Sequence, residues 1–162
     1  MNASFKLHNG AITLFINDEI YPFVSYKSTE TRNDDLFEET VKHSVPDMAA
    51  RGIHIQFVPI FFDWTAPGVY DFSRMDWRVN QVLDADPQAW IIIRIQAISM
   101  APKWWMDAHP EEIDRFSFSG SEEYPRPADQ TLPAPSVWSN FWEEAGIPAV
   151  QALAEHARSQ PY

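Results

Sequence analysis

Two hydrophobic periods alternate along the chain. The stretch "SFKLHNGAITLFINDEIYPF" (4–23) carries short apolar-rich runs and is broken at Asn9-Gly10 and at Asn17-Asp18. Asn-Gly is a strong signal for a two-residue hairpin turn, because a type I′ turn needs positive φ at both central residues. A small β-meander is therefore predicted over 1–20. "YPFVSYKS" (21–28) predicts another strand. The period then changes. Leu36, Phe37, Thr40, Val41, Val45, Met48 and Ala49 fall at helical spacing. Asn33, or Thr31 before it, supplies the N-cap, and Asp34 and Asp35 suit the first turn. Pro46 is expected to kink or split this helix and Gly52 to end it.

The alternation continues. "IHIQFVPI" (53–60) predicts a strand, "FSRMDWRVNQVLDAD" (72–86) a helix closed by Asp86-Pro87, and "AWIIIRIQAI" (89–98) a third strand. "APKWWMDAHPEE" (101–112) predicts a short helical excursion, and 113–135 a long loop rich in Pro, Ser and Gly. "SVWSNFWEEAGIPAVQALAEHARSQ" (136–160) predicts a last helix with weak points at Gly146 and Pro148. A meander followed by β-α-β-α-β-α implies a parallel sheet with right-handed crossovers. The second and third strands are nearly continuous apolar runs, as strands buried on both faces are.

Polar residues within those strands refine the expectation. His54, Gln56 and Val58 alternate with Ile53, Ile55 and Phe57, and Arg94, Gln96 and Ile98 alternate with Ile91, Ile93, Ile95 and Ala97. An open doubly wound sheet is apolar on both faces, whereas a barrel interior leading to a site accommodates such groups. A buried Arg needs a partner. The expected fold is α/β: the first three βα units of a partial TIM (β/α)8 barrel over 21–162, preceded by the meander at 1–20.

Composition narrows the function classes. The formal net charge of −11 over 162 residues argues against nucleic acid and anionic membrane surfaces. There is no Cys, which removes thiolate metal sites and Cys nucleophiles. "MNASFKLHNG" has no apolar signal-peptide core, and no apolar run approaches a membrane span, so the expectation is a soluble cytoplasmic protein. The 7 Trp, in a chain that is 14% aromatic, point to a core or a site built from rings. The five His show no metal-ligand spacing, and neither a P-loop nor a G-x-S-x-G elbow is present, so no metal and no cofactor is expected. The pairs Glu111-Glu112, Glu122-Glu123 and Glu143-Glu144 are adjacent, their side chains diverge, and they read as solvated surface.

An ordered set of short segments carries a family resemblance. These are Phe62-Asp63-Trp64, Gly68-Val69-Tyr70-Asp71-Phe72, Met75-Asp76, Ala101-Pro102-Lys103-Trp104-Trp105 and His109-Pro110-Glu111. In order and spacing, roughly over 53–112, they resemble the first half of the barrel of β-galactosidase-like glycoside hydrolases, family 42 and its relatives. The resemblance implies a retaining glycosidase acting on a β-glycoside, with two carboxyl groups about 5–5.5 Å apart. In that family the acid/base Glu follows an Asn at the end of strand four and the nucleophile Glu ends strand seven. Neither matches a position here, so no catalytic residue is assigned. A (β/α)8 barrel takes ~250 residues, so the chain reads as the N-terminal part of a longer enzyme, inactive alone, with its third strand left as an open apolar edge.

Strand C-terminal ends form the active face of such barrels. The resemblance therefore points to Asp63, Trp64, Arg94 and Trp104 as substrate-binding residues. Trp64 and Trp104 would stack on the apolar C–H face of a sugar, or else pack under the 113–135 loop. Arg94 would pair with a catalytic carboxylate and hold it ionised, or else make a structural ion pair. Asp63 would accept from sugar hydroxyls, or else cap the turn over 64–70. Ser99 and Lys103 fall on the same side, Arg126 in the long loop is a weaker candidate, and His54 and Gln96 read as satisfied core polars. The expected partner is a carbohydrate, with no nucleic acid and no membrane. Either an oligomer or a C-terminal half would supply the remaining strands. The rival reading is a non-catalytic α/β module that binds carbohydrate or protein through the same aromatic loops.

Overall fold

The computed structural model describes residues 2–29, 31–61, 63–95, 101–117, 131–136 and 138–162, and shows a mixed α/β chain. It divides into two compact units, residues 1–59 with 78–94 and residues 60–77 with 95–162.

The first unit opens with an antiparallel meander of β1 (Ala3–His8), β2 (Ala11–Ile16) and β3 (Glu19–Tyr21). Both turns are of the expected kind. Asn9 and Gly10 have φ of +50° and +80°, and Asn17 and Asp18 of +50° and +66°. Positive φ at both central residues matches the right-handed twist of the flanking strands. Tyr21, assigned from the sequence to the next strand, instead pairs with Leu14 in the meander. The following strand, β4 (Ser25–Lys27), is correspondingly shorter, since Pro22 offers no backbone donor.

The helix α1 (Asp34–Ala49) begins as its sequence indicates. The Asn33 side chain accepts from the Leu36 amide at 3.1 Å, and Thr31 Oγ1 accepts from the Asn33 amide at 3.0 Å. Pro46 neither splits nor ends it. The missing Pro46 N–H leaves only the carbonyl of Lys42 to be satisfied, and Lys42 is exposed to water. Gly52, at φ +77°, closes the turn beyond Ala49. The buried stripe is Phe37, Val41 and Val45, at i, i+4 and i+8, whereas Leu36 is exposed.

The strand β5 (Ile55–Ile60) pairs in parallel with β4 and is buried almost throughout. The helix α2 (Ser73–Ala85) buries Met75, Val79 and Val82 and leads through Asp86-Pro87 to β8 (Trp90–Ile95). The sheet order is β4-β5-β8, so β8 is a terminal strand of the described sheet. Its Ile run was expected to be buried on both faces. Instead every residue from Trp90 to Ile95 is half-buried, so neither face of the strand is fully covered. Residues 96–98 of the predicted strand, with Gln96, lie outside the described residues.

Two segments read as loops contain strands. Between β5 and α2, β6 (Asp63–Ala66) and β7 (Val69–Asp71) form an antiparallel hairpin around Pro67-Gly68, with Gly68 at φ +71°. After the short helix α3 (Lys103–Ala108) and a 3-10 turn over Pro110–Glu112, β9 (Ile113–Ser117) pairs antiparallel with β10 (Thr131–Pro135). The Pro-rich composition hid this pairing, since Pro133 and Pro135 cannot donate to a ladder. The last helix begins as a π-helical turn over Trp142–Gly146 and continues as α4 (Ile147–Ser159). The Ile147 amide reaches back five residues to the Trp142 carbonyl. Pro148 has no N–H for the carbonyl of Glu144 and its ring crowds that carbonyl, so the widened turn sits where the sequence is weakest.

Among the described residues the sheets have two or three strands, and none closes into a barrel. No helix among them is long and apolar enough to cross a membrane.

Candidate functional site

The second unit is organised around the aromatic residues that the sequence singles out. The β6–β7 hairpin places Trp64 opposite Tyr70, with ring centroids 5.4 Å apart. Trp104 on α3 meets Trp64 edge-on at 5.8 Å, and its Nε1 donates to the Trp64 carbonyl at 3.2 Å. Phe141 meets Trp64 at 5.9 Å and Trp105 at 4.9 Å. Trp105 stacks on His109 at 4.5 Å and 22°. Trp64, Trp105, Phe141, Ala145 and Ala149 are buried together, with Trp104 and Trp142 half-buried around them. Edge-on and tilted pairs of this kind contribute ~0.5–1.5 kcal/mol each beyond the area they bury.

Gly146 sits where a larger residue would be tight. A Cβ there would lie 3.0 Å from Trp142 Cε3 and 3.2 Å from Phe141 Cε1. Its φ of −65° is ordinary, so the demand for glycine is steric. Trp142 is held as well, its Nε1 donating to the Ser136 carbonyl at 3.0 Å.

The acidic side of the unit is bound to its helices. Glu112 Oε2 accepts from Ser139 Oγ at 2.6 Å and from the Asn140 amide at 2.8 Å, so Glu112 is a capping group and not the solvated surface acid expected. The Ser139 hydroxyl above all, with the Asn140 amide and His109 nearby, holds its carboxyl below the ordinary range against the opposing effect of burial. Ligand-type atoms of His109, Glu111 and Glu112 lie within 4.8 Å of one another, a grouping the linear spacing of the five His did not reveal. Asp71 accepts from the Ser73 amide at 2.9 Å, which starts α2 and lowers the Asp71 pKa. Asp76 joins α2 to the C-terminal segment through His156 Nε2 at 2.8 Å and the Tyr162 hydroxyl at 2.9 Å, while Phe72 stacks on His156.

The four residues singled out from the sequence occupy different settings. Trp64 and Trp104 are in contact. Trp64 is 8% exposed, so its ring faces are taken by neighbours, whereas Trp104 keeps part of its ring at the surface. Asp63 opens β6, its backbone paired with Asp71. Arg94 belongs to the first unit, half-buried on β8. Lys103 is exposed and ion-paired to Asp107. Ser99 and Arg126 lie outside the described residues. His54 is a satisfied polar group, its Nδ1 2.9 Å from Asp86 Oδ2.

Among the described residues the fully buried arginine is Arg78, which the sequence reading passed over. Its Nε and Nη2 donate to Asp34 Oδ1 at 3.1 and 2.6 Å. Nη2 also donates to the Thr31 carbonyl at 2.8 Å and Nη1 to the Pro59 carbonyl at 3.2 Å, with the guanidinium 4.4 Å over the Phe37 ring. A signal was present: Arg78 stands at i+3 from Met75, one place before Val79, on the apolar stripe of α2.

No protein-family model matches the chain, and no curated protein matches it.

Proposed function

We propose that this chain forms the first three βα units of a retaining glycoside hydrolase barrel of β-galactosidase type, with the meander in front of them. The carrying observation is the order of β4, α1, β5, α2 and β8 in one sheet, each strand beside its predecessor in the chain, with β4 and β5 parallel. Sequential addition of βα units is how a (β/α)8 barrel grows. The segments behind the resemblance lie on the elements following β5 and β8, where such a barrel builds its site. In this reading Trp104 offers its half-exposed ring to the sugar, and Trp64 holds it through the carbonyl bond and the edge contact. Asp63 supplies a polar contact in the same reading. The catalytic carboxylates come from strands beyond these.

The test is to express the complete reading frame that contains this chain and to assay hydrolysis of p-nitrophenyl β-galactoside and related β-glycosides, following the anomer formed. The expected result is turnover with retained configuration, from a frame that encodes a strand ending in Asn-Glu soon after α4. Trp104→Ala should raise KM more than it lowers kcat, as loss of a binding contact does. A frame without further strands, or a full-length protein inert toward β-glycosides, rejects the proposal.

A further inference from the structure

The meander has one apolar face that is only partly covered. Directly opposed residues of an antiparallel pair share a face, so Ala3, Phe5 and Leu7 lie on the same side as Ile12, Leu14 and Ile16. Leu14 and Ile16 are buried, in a cluster with Ile55, Trp90 and Ile92. Ile55 is the first residue of β5 and Trp90 the first of β8, so this part of the face lies across the N-terminal ends of those strands. The rest of the face is open: Phe5 is 58%, Leu7 77% and Ile12 79% exposed, and Phe23, edge-on to Phe5 at 5.4 Å, is 59% exposed. A contiguous apolar patch of this kind often marks an interaction site.

A cavity of about 200 Å³ lies between the covered and the open parts, walled by Phe5, Leu14, Phe23, Trp90, Ile91 and Ile92, and its lining is almost wholly apolar. Trp90, Ile91 and Ile92 are consecutive, so their side chains alternate between the two faces of β8. Atoms of all three line the cavity, and β8 is a terminal strand of the described sheet. An apolar cavity of ~150 Å³ already takes a benzene-sized group. This one therefore suits a single Phe- or Leu-sized side chain, and it lacks the polar groups a sugar would need.

We propose that this face and cavity receive the N-terminal end of a further β-strand. The strand pairs with the edge of β8 that no described strand covers, seats an apolar side chain in the cavity, and is covered at its end by Leu7 and Ile12. The inference rests on the reading of the chain as part of a longer barrel and adds to it a role for the meander: a cap over the strand ends opposite the active face. Two features select this occupant. The open face continues the interface already made by Leu14 and Ile16 with β5 and β8. A second copy fits less well: at ~150–200 Å² for a fully exposed large side chain, the four exposed residues present on the order of 500 Å², short of the ~800 Å² per partner of a stable dimer.

The test places Leu7→Glu with Ile12→Glu in the complete reading frame and, separately, in the 162-residue chain. Ala11→Glu, on the opposite face, is the control, and Leu7→Ala with Ile12→Ala replaces the Glu pair if the latter blocks expression. The expected result is a Tm lowered by roughly 10 °C in the longer protein, with the short chain and the control within about 2 °C of their parents. A longer protein that has the further strands but whose Tm ignores both pairs overturns the cap and leaves the barrel reading standing. A frame without further strands overturns both. A short chain that sediments as a dimer, dissolved by the Glu pair, assigns the face to a second copy and overturns the inference.

Discussion

Replacing Arg78 with Met tests the central polar contact of the first unit. Met matches the stem of the arginine and removes the guanidinium. Three acceptors lose their donors: Asp34 Oδ1 and the carbonyls of Thr31 and Pro59. Removing one partner of a buried ion pair costs ~3–5 kcal/mol. Asp34 is 40% exposed, so water takes over much of its solvation and the carboxylate contributes at the low end. The stranded carbonyls add ~1–3 kcal/mol each where water does not reach, and the cation–π contact with Phe37 adds ~1 kcal/mol. Part of this is returned because burying an arginine is itself unfavourable, so the net loss is about 3–4 kcal/mol. Urea denaturation followed by far-UV circular dichroism measures it, and for a chain of this size the fall in Tm is about 10 °C. Arg78→Lys should recover less than half, since one ammonium cannot span acceptors on three segments. A Met variant within about 1 kcal/mol of the parent, or a Lys variant equal to it, would refute the assignment.

Three further outcomes follow from the same contacts. Gly146→Ala gains up to ~1 kcal/mol of helix propensity but forces a Cβ against Trp142 and Phe141, and overpacking costs ~1–3 kcal/mol. The net effect is a lower Tm, and a rise would mean that the rings give way. Asn33→Ala removes the cap on the Leu36 amide and should cost ~1 kcal/mol in urea denaturation; no change would mean that Thr31 or water already carries that amide. Glu112 is an acid with a lowered folded pKa, so its contribution is complete above the ordinary carboxylate range and is lost as pH falls through the folded value. The stability gap between the parent and Glu112→Gln is therefore widest near neutrality and closes in acid; a gap that does not vary with pH rejects the capping role.

Elements governed by a few neighbouring residues were determined by the sequence alone. Asn9-Gly10 and Asn17-Asp18 made the meander turns because their positive φ is a property of those residues. Asn33 capped α1 through a bond to an amide three residues away, and the π-helical turn formed where Gly146 and Pro148 weaken the last helix. What depends on partners distant in the chain was decided only by the tertiary structure. The ladder of β9 with β10 was invisible because its strands lie far apart in the chain and two of its residues are prolines, which cannot donate to a ladder. Leu36 and Phe37 were equally apolar neighbours, and packing buried only the second. Arg94 stood out as a charge in a strand and is half-buried, whereas Arg78 is fully buried because Asp34, Thr31 and Pro59 converge on it from three segments. Composition announced an aromatic site or core. That the ring of Trp64 is covered while part of Trp104 stays at the surface was set by contacts with Tyr70, Phe141 and Trp104 itself, whose approach no local pattern encodes. Backbone preference is local and can be read residue by residue, whereas burial and pairing belong to the fold as a whole.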